Sequence, residues 1–212
     1  MKGLLVKDFY CLKQNMKYIM ITLLLFCLIF IPQGGSNFSS VLILLFSMMV
    51  ITTMNYDHTD KWNHFALTMP LTRTMLVRSK YLLMLIMLAV GITVSLLFSL
   101  AGAIIFQAEF AVPELLAVNG ASALAALWMG AILLPLIYRF GVERARLLLL
   151  LIVALPLGGM LAVGSSLHGG SLPYLTPQWI ALFAAGIVLL TALVFFCSYL
   201  LSVKIYQKKE LA

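Results

Sequence analysis

Apolar and polar positions alternate along this chain in long blocks. A short lead-in carries lysines at 2, 7, 13 and 17, and from residue 18 to 56 there is no charge. A charge-bearing stretch at 55–80 follows. Residues 81–108 and 115–138 are again uncharged, and 147–203 carry no ionisable side chain except His168 and tyrosine and cysteine. Two of these blocks are too long for one crossing, and each contains a turn-forming run. One is Pro32-Gln33-Gly34-Gly35-Ser36-Asn37; the other runs from Gly164 to Pro173 and is rich in Gly and Ser. Split there, the pattern predicts an all-α membrane protein with six transmembrane helices at about 18–32, 38–54, 81–106, 117–138, 147–164 and 178–203. Most approach the roughly 17–25 residues that a crossing takes.

The lead-in, 1–17, reads as an amphipathic helix lying in the membrane interface. At 100° per residue Leu5, Phe9, Leu12 and Met16 share one arc, with Lys7, Tyr10, Gln14 and Lys17 opposite, the lysines facing headgroups. A signal-peptide reading is disfavoured by the length of the lead-in and by the lack of a small-x-small cleavage site after the apolar run. Residues 204–212 form a basic tail.

Charge placement supports six spans. Of the 14 Lys and Arg, four lie in the lead-in, four at 61, 73, 78 and 80, three at 139, 144 and 146, and three at 204, 208 and 209. The alternate loops hold none. Both termini and the 55–80 and 139–146 loops are therefore expected on the cytoplasmic side of a plasma membrane.

Composition agrees: 63% of residues are hydrophobic and 10% charged, against about 25% charged in soluble domains. No predicted span interior holds Asp, Glu, Lys or Arg, which argues against ion-driven transport. Cys11, Cys27 and Cys197 have no disulfide or zinc spacing, and no metal site is expected. Ser165, Ser166, His168 and Ser171 sit in a Gly/Pro-rich turn and read as that rather than as a nucleophile and base. No Gly-x-x-x-x-Gly-Lys-[Ser/Thr] occurs, so the chain is not expected to be an enzyme or to bind ATP by a P-loop.

The stretch 55–80 is the polar segment that asks for a partner in water. Asp57 or Thr59 is expected to cap a short helix, with Asp60 in its first turn and Trp62, Phe65 and Ala66 on one face. Thr72 is expected to cap the helix leading into the third span.

The pattern Tyr56-Asp57-x-x-Asp60-Lys61-Trp62-x-x-Phe65-x-x-x-Met69-Pro70-Leu71-Thr72-Arg73, followed by Val77-x-x-Lys80-Tyr81, resembles the first cytoplasmic loop of small bacterial type-2 ABC transporter permeases. His58 departs from it, standing where a second acidic residue belongs. Lys2-Gly3-Leu4-Leu5-Val6-Lys7-Asp8 is similar to the family's opening helix, and within the family the chain looks most like permeases of peptide exporters, such as those of phenol-soluble modulins in staphylococci.

The resemblance implies a coupling helix between spans 2 and 3 that docks on a separate ABC ATPase subunit, which binds ATP and Mg; this chain would bind no cofactor. Asp57, Asp60, Lys61, Trp62, Phe65, Leu67, Pro70 and Arg73 would make that contact, with Trp62 and Phe65 as anchors. Arg139, Glu143 and Arg144 would supply a second contact. A second permease copy, the same chain or a paralogue, would complete a dimer. The path at its interface would be lined by spans 2 and 5, including Ser47, Thr52, Pro156, Gly158 and Gly159. An uncharged path suits an amphipathic or hydrophobic cargo, an antimicrobial or cytolytic peptide or a lipid-like molecule, with no role for nucleic acid. The alternative is a non-transporting membrane interaction protein, such as a peptide immunity protein or a sensor anchor.

Overall fold

The computed structural model describes residues 2–14, 16–30, 36–60, 62–69, 72–106, 112–145, 147–148 and 177–208. Its elements are α1 (Lys2–Gln14), α2 (Met16–Phe30), α3 (Ser36–Thr59), α4 (Trp62–Thr68), α5 (Arg73–Phe106), α6 (Val112–Phe140) and α7 (Pro177–Lys208). No strand occurs among the described residues.

Four of these helices contain stretches long and apolar enough to cross a membrane: Ser40–Thr59, Arg73–Ala101, Leu115–Phe140 and Ala185–Lys208. They overlap the expected second, third, fourth and sixth spans. The helix at the expected first span, α2, has 15 residues. The expected fifth span, 147–164, lies outside the described residues beyond 148.

Side-chain pairings fix the direction of each helix. Gly91 of α5 abuts Ile43 and Phe46 of α3, while Lys80 meets Asp57, so α3 and α5 are antiparallel. Ser95 bonds Asn119, and Met84 packs on Gly130, so α5 and α6 are antiparallel too. Trp128–Thr191, Ala131–Ser198 and Tyr138–Tyr206 rise together, so α6 and α7 run parallel. Parallel packing is what a six-span count requires of its fourth and sixth spans.

The core follows α3, the helix that meets α1, α2, α4, α5 and α6. Leu42, Ile43, Val50, Leu83 and Leu134 are fully enclosed. The α3–α5 crossing is close because Gly91 has no side chain. A Cβ there would lie 3.3 Å from the Ile43 Cα and 3.1 Å from the Phe46 Cβ, atoms that move only if the helices part. Gly91→Ala is therefore expected to lower stability by about 1–2 kcal/mol through overpacking, although alanine is the better helix former. At Gly130 the obstructing atoms are Sδ and Cε of Met84, the far end of a flexible side chain. Gly130→Ala should melt near the parent temperature in the same detergent, and equal losses at both sites would refute the distinction.

The third helix begins at Arg73, as its expected Thr72 cap requires, so Arg78 and Lys80 belong to it. The second continues past 54 to Thr59, placing Asp57 inside its last turn rather than at a cap of α4. Burial of the Asp57 carboxylate beside two ammonium groups holds that turn helical. The lead-in does form a helix, but α1 turns Leu4, Asp8 and Leu12 to the bundle and leaves Phe9 exposed. Lys7 consequently points to Asp57 instead of headgroups.

Candidate functional site

The basic segments of the sequence gather at one end of the bundle. There α1, the last turn of α3, α4, the first turns of α5, the end of α6 and the end of α7 come together. The α6 helix stops at Gly141, whose φ of 84° is a left-handed conformation costly for other residues. Its N–H donates to the Ile137 carbonyl at 2.9 Å, closing the helix end. The turn at 142–145 then buries Val142 and Ala145 while Arg139, Glu143 and Arg144 stay exposed.

Where α1, α3 and α5 meet, four charges form a closed set. Lys80 Nζ lies 2.7 Å from Asp8 Oδ1 and 2.6 Å from Asp57 Oδ2. Lys7 pairs with Asp57 and lies 3.5 Å from Asp8. Lys80 also donates to Thr53 Oγ1 at 3.3 Å. The side chains of Asp8, Lys80 and Asp57 are only 2%, 8% and 10% exposed. Two carboxylates and two ammonium groups sum to zero, which is how such burial is tolerated.

The set reaches α4 through Lys7, whose Nζ stands 4.3 Å from the centre of the Trp62 ring, a cation–π contact. Trp62 packs against the core and Ala66 is fully buried beneath α4. Phe65 turns the other way, 54% exposed, with Met69 beside it at the i+4 position and also exposed. The expected single face of Trp62, Phe65 and Ala66 is thus divided: Trp62 and Ala66 hold α4 to the chain, and Phe65 with Met69 faces out. Trp62 and Phe65 ring centres remain 5.5 Å apart.

On the far side of α4, Thr72 caps α5 as expected, its Oγ1 accepting the Met75 N–H at 3.3 Å. The next residue, Arg73, donates to the Tyr206 and Gln207 carbonyls at 3.3 and 2.9 Å. These belong to the last turn of α7, where carbonyls lack helical partners and a cation is favoured. Trp62 Nε1 and Tyr206 Oη are buried without a hydrogen-bond partner among the described residues. Both residues border a cavity of about 60 Å³ that also touches Lys7, Asp57 and Gly141. It is roomy enough for water to bridge them.

The predicted contact residues therefore separate. Asp57 is interior, and Arg73 ties α5 to α7. Asp60, Phe65, Arg139, Glu143 and Arg144 are on the surface. Lys61 and Pro70, and the side chain of Leu67, lie outside the described residues. Of the predicted path, Ser47 is buried within the chain's own bundle, its hydroxyl donating to the Leu44 carbonyl at 2.8 Å. Thr52 is half-buried, and Pro156, Gly158 and Gly159 lie outside the described residues. Sequence reasoning missed Lys7, Asp8, Lys80, Met69 and Tyr206. A signal for Asp8 existed: Leu4, Asp8 and Leu12 recur every four positions, which places that carboxylate on an apolar helical stripe.

Among the described residues no group of His, Cys, Asp and Glu could hold a metal ion. A family model described as "ABC-2 family transporter protein" matches residues 3–207. No curated protein and no solved structure matches the chain.

Proposed function

Because the chain belongs to the ABC-2 family of transporter proteins, we propose that it is the membrane subunit of an ATP-driven exporter and that α4 is its coupling helix. ABC-2 permeases are membrane subunits that work with ATPase subunits, so a separate nucleotide-binding partner holds the ATP and Mg. A second permease copy completes the transporter. Residues 139–146 make the smaller contact with the ATPase, and the charged end faces the cytoplasm of a bacterial cell. The cargo is an amphipathic or hydrophobic molecule, a peptide first, in keeping with spans whose basic side chains are confined to one end.

One observation carries the coupling role. The outward side of α4 offers Phe65 and Met69, while its inward side is held through Trp62 and Lys7 to the charges joining α1, α3 and α5. A push on α4 is thereby delivered to three helices at once. The test is affinity purification of the tagged chain from its native membranes in mild detergent, with bound proteins identified by mass. A stoichiometric P-loop ATPase is expected. A chain that emerges alone after gentle cross-linking would overturn the assignment in favour of a non-transporting role.

A further inference from the structure

On the outside of the bundle, away from the ion set, α5 and α7 flank a trough whose floor is α6. It has a volume of about 480 Å³. Leu82 and Leu85 form one wall, Leu127 lies on the floor, and Val188, Ala192 and Phe196 form the other wall. Among the described residues Arg78 is the one charged side chain along it. That guanidinium is exposed, and among the described residues no carboxylate pairs with it.

The hydroxyls of Tyr81 and Thr191 in the lining are already used. Ser198 donates to the Ala131 carbonyl at 2.5 Å, so it accepts from Tyr81 at 2.7 Å, and Tyr81 in turn accepts from Ser202 at 2.8 Å. Thr191 donates to the Ile187 carbonyl and accepts from Trp128 Nε1. The trough is accordingly a hydrocarbon surface with a cation at one end. Along α7 it runs from Val188 to Tyr199, about 16 Å at 1.5 Å per residue. One leaflet's share of a hydrocarbon core some 30 Å thick is about 15 Å.

We propose that this trough binds an anionic phospholipid, one acyl chain lying between α5 and α7 and its phosphate on Arg78. Charge and length both select that occupant. The guanidinium calls for an anion, which basic pockets between membrane helices find in lipid headgroups. The trough shares no lining residue with the cavity beside the ion set, and the proposal does not depend on the chain being an exporter.

The test is mass spectrometry of the intact chain released from vesicles of equal phosphatidylglycerol and phosphatidylcholine. Retained phosphatidylglycerol should predominate. Arg78→Gln should reduce that preference about fivefold, the effect of removing one cation near a lipid surface, and Arg78→Lys should keep most of it. Ala192→Trp and, on the opposite wall, Leu85→Trp fill the trough and should each remove the lipid from a chain of unchanged melting temperature. Equal retention of the two lipids, or retention unchanged in both tryptophan variants, would overturn the proposal. Loss of a dimer mass in those variants with no change in lipid would assign the trough to a second copy instead.

Discussion

Lys80→Met is expected to destabilise the chain by about 3–5 kcal/mol, the cost of leaving buried charge without its partner. Lys80 is the ammonium that stands between Asp8 and Asp57, at 2.7 and 2.6 Å. Methionine keeps its length and apolar stem but removes the charge, leaving two carboxylates to share Lys7. The net charge of the set goes from zero to minus one in a place where water has little access. Adding Asp8→Asn to Lys80→Met restores neutrality, because Lys7–Asp57 persists as a pair, and should recover at least half of the lost stability. Denaturant titration in a fixed detergent measures both variants. A single variant within about 1 kcal/mol of the parent would mean that these charges are solvated and the set is not closed. Transport then separates the two roles: the neutralised double variant should fold yet move cargo poorly, because α1 is no longer tied to α5.

Phe65→Ala is expected to weaken ATPase binding by at least about thirtyfold, equivalent to roughly 2 kcal/mol for the loss of an aromatic anchor. The residue is exposed, so the chain's own stability should stay within about 0.5 kcal/mol of the parent. Trp62→Ala should behave differently. Its ring packs on the core and under Lys7, so its removal lowers the melting temperature as well as the coupling. Titrating the co-purified ATPase against the detergent-solubilised variants, beside thermal melts, distinguishes them. Unchanged binding in Phe65→Ala together with weakened binding in Arg144→Ala would place the main contact at 139–146 instead.

How far the sequence could be read depended on whether a feature was local. The charge-free runs located α3, α5, α6 and α7 because burial in lipid is decided residue by residue over some twenty positions. The Thr72 cap was legible for the same reason, since its bond spans three residues. The ion set was not legible. Lys7 meets Asp57 across 50 positions, and Lys80 meets Asp8 across 72. Such pairings depend on how three helices rotate and slide against one another, which hydropathy does not encode. Asp57 was misplaced by a sound local rule: aspartate is a good helix cap, but two ammonium groups outweigh one cap. Phe65 was rightly picked as an aromatic of α4, whereas the side it faces became visible only with Ala66 buried beneath it.

The span of 72 residues between Asp8 and Lys80 also orders events at the ribosome. Asp8 is made before Lys80, and its shortest ion pair needs the helix that begins at Arg73, Lys7 standing farther off at 3.5 Å. Until then the carboxylate is better served by water than by the bundle. The docking of α1 against α5 is therefore completed only once α5 is in place.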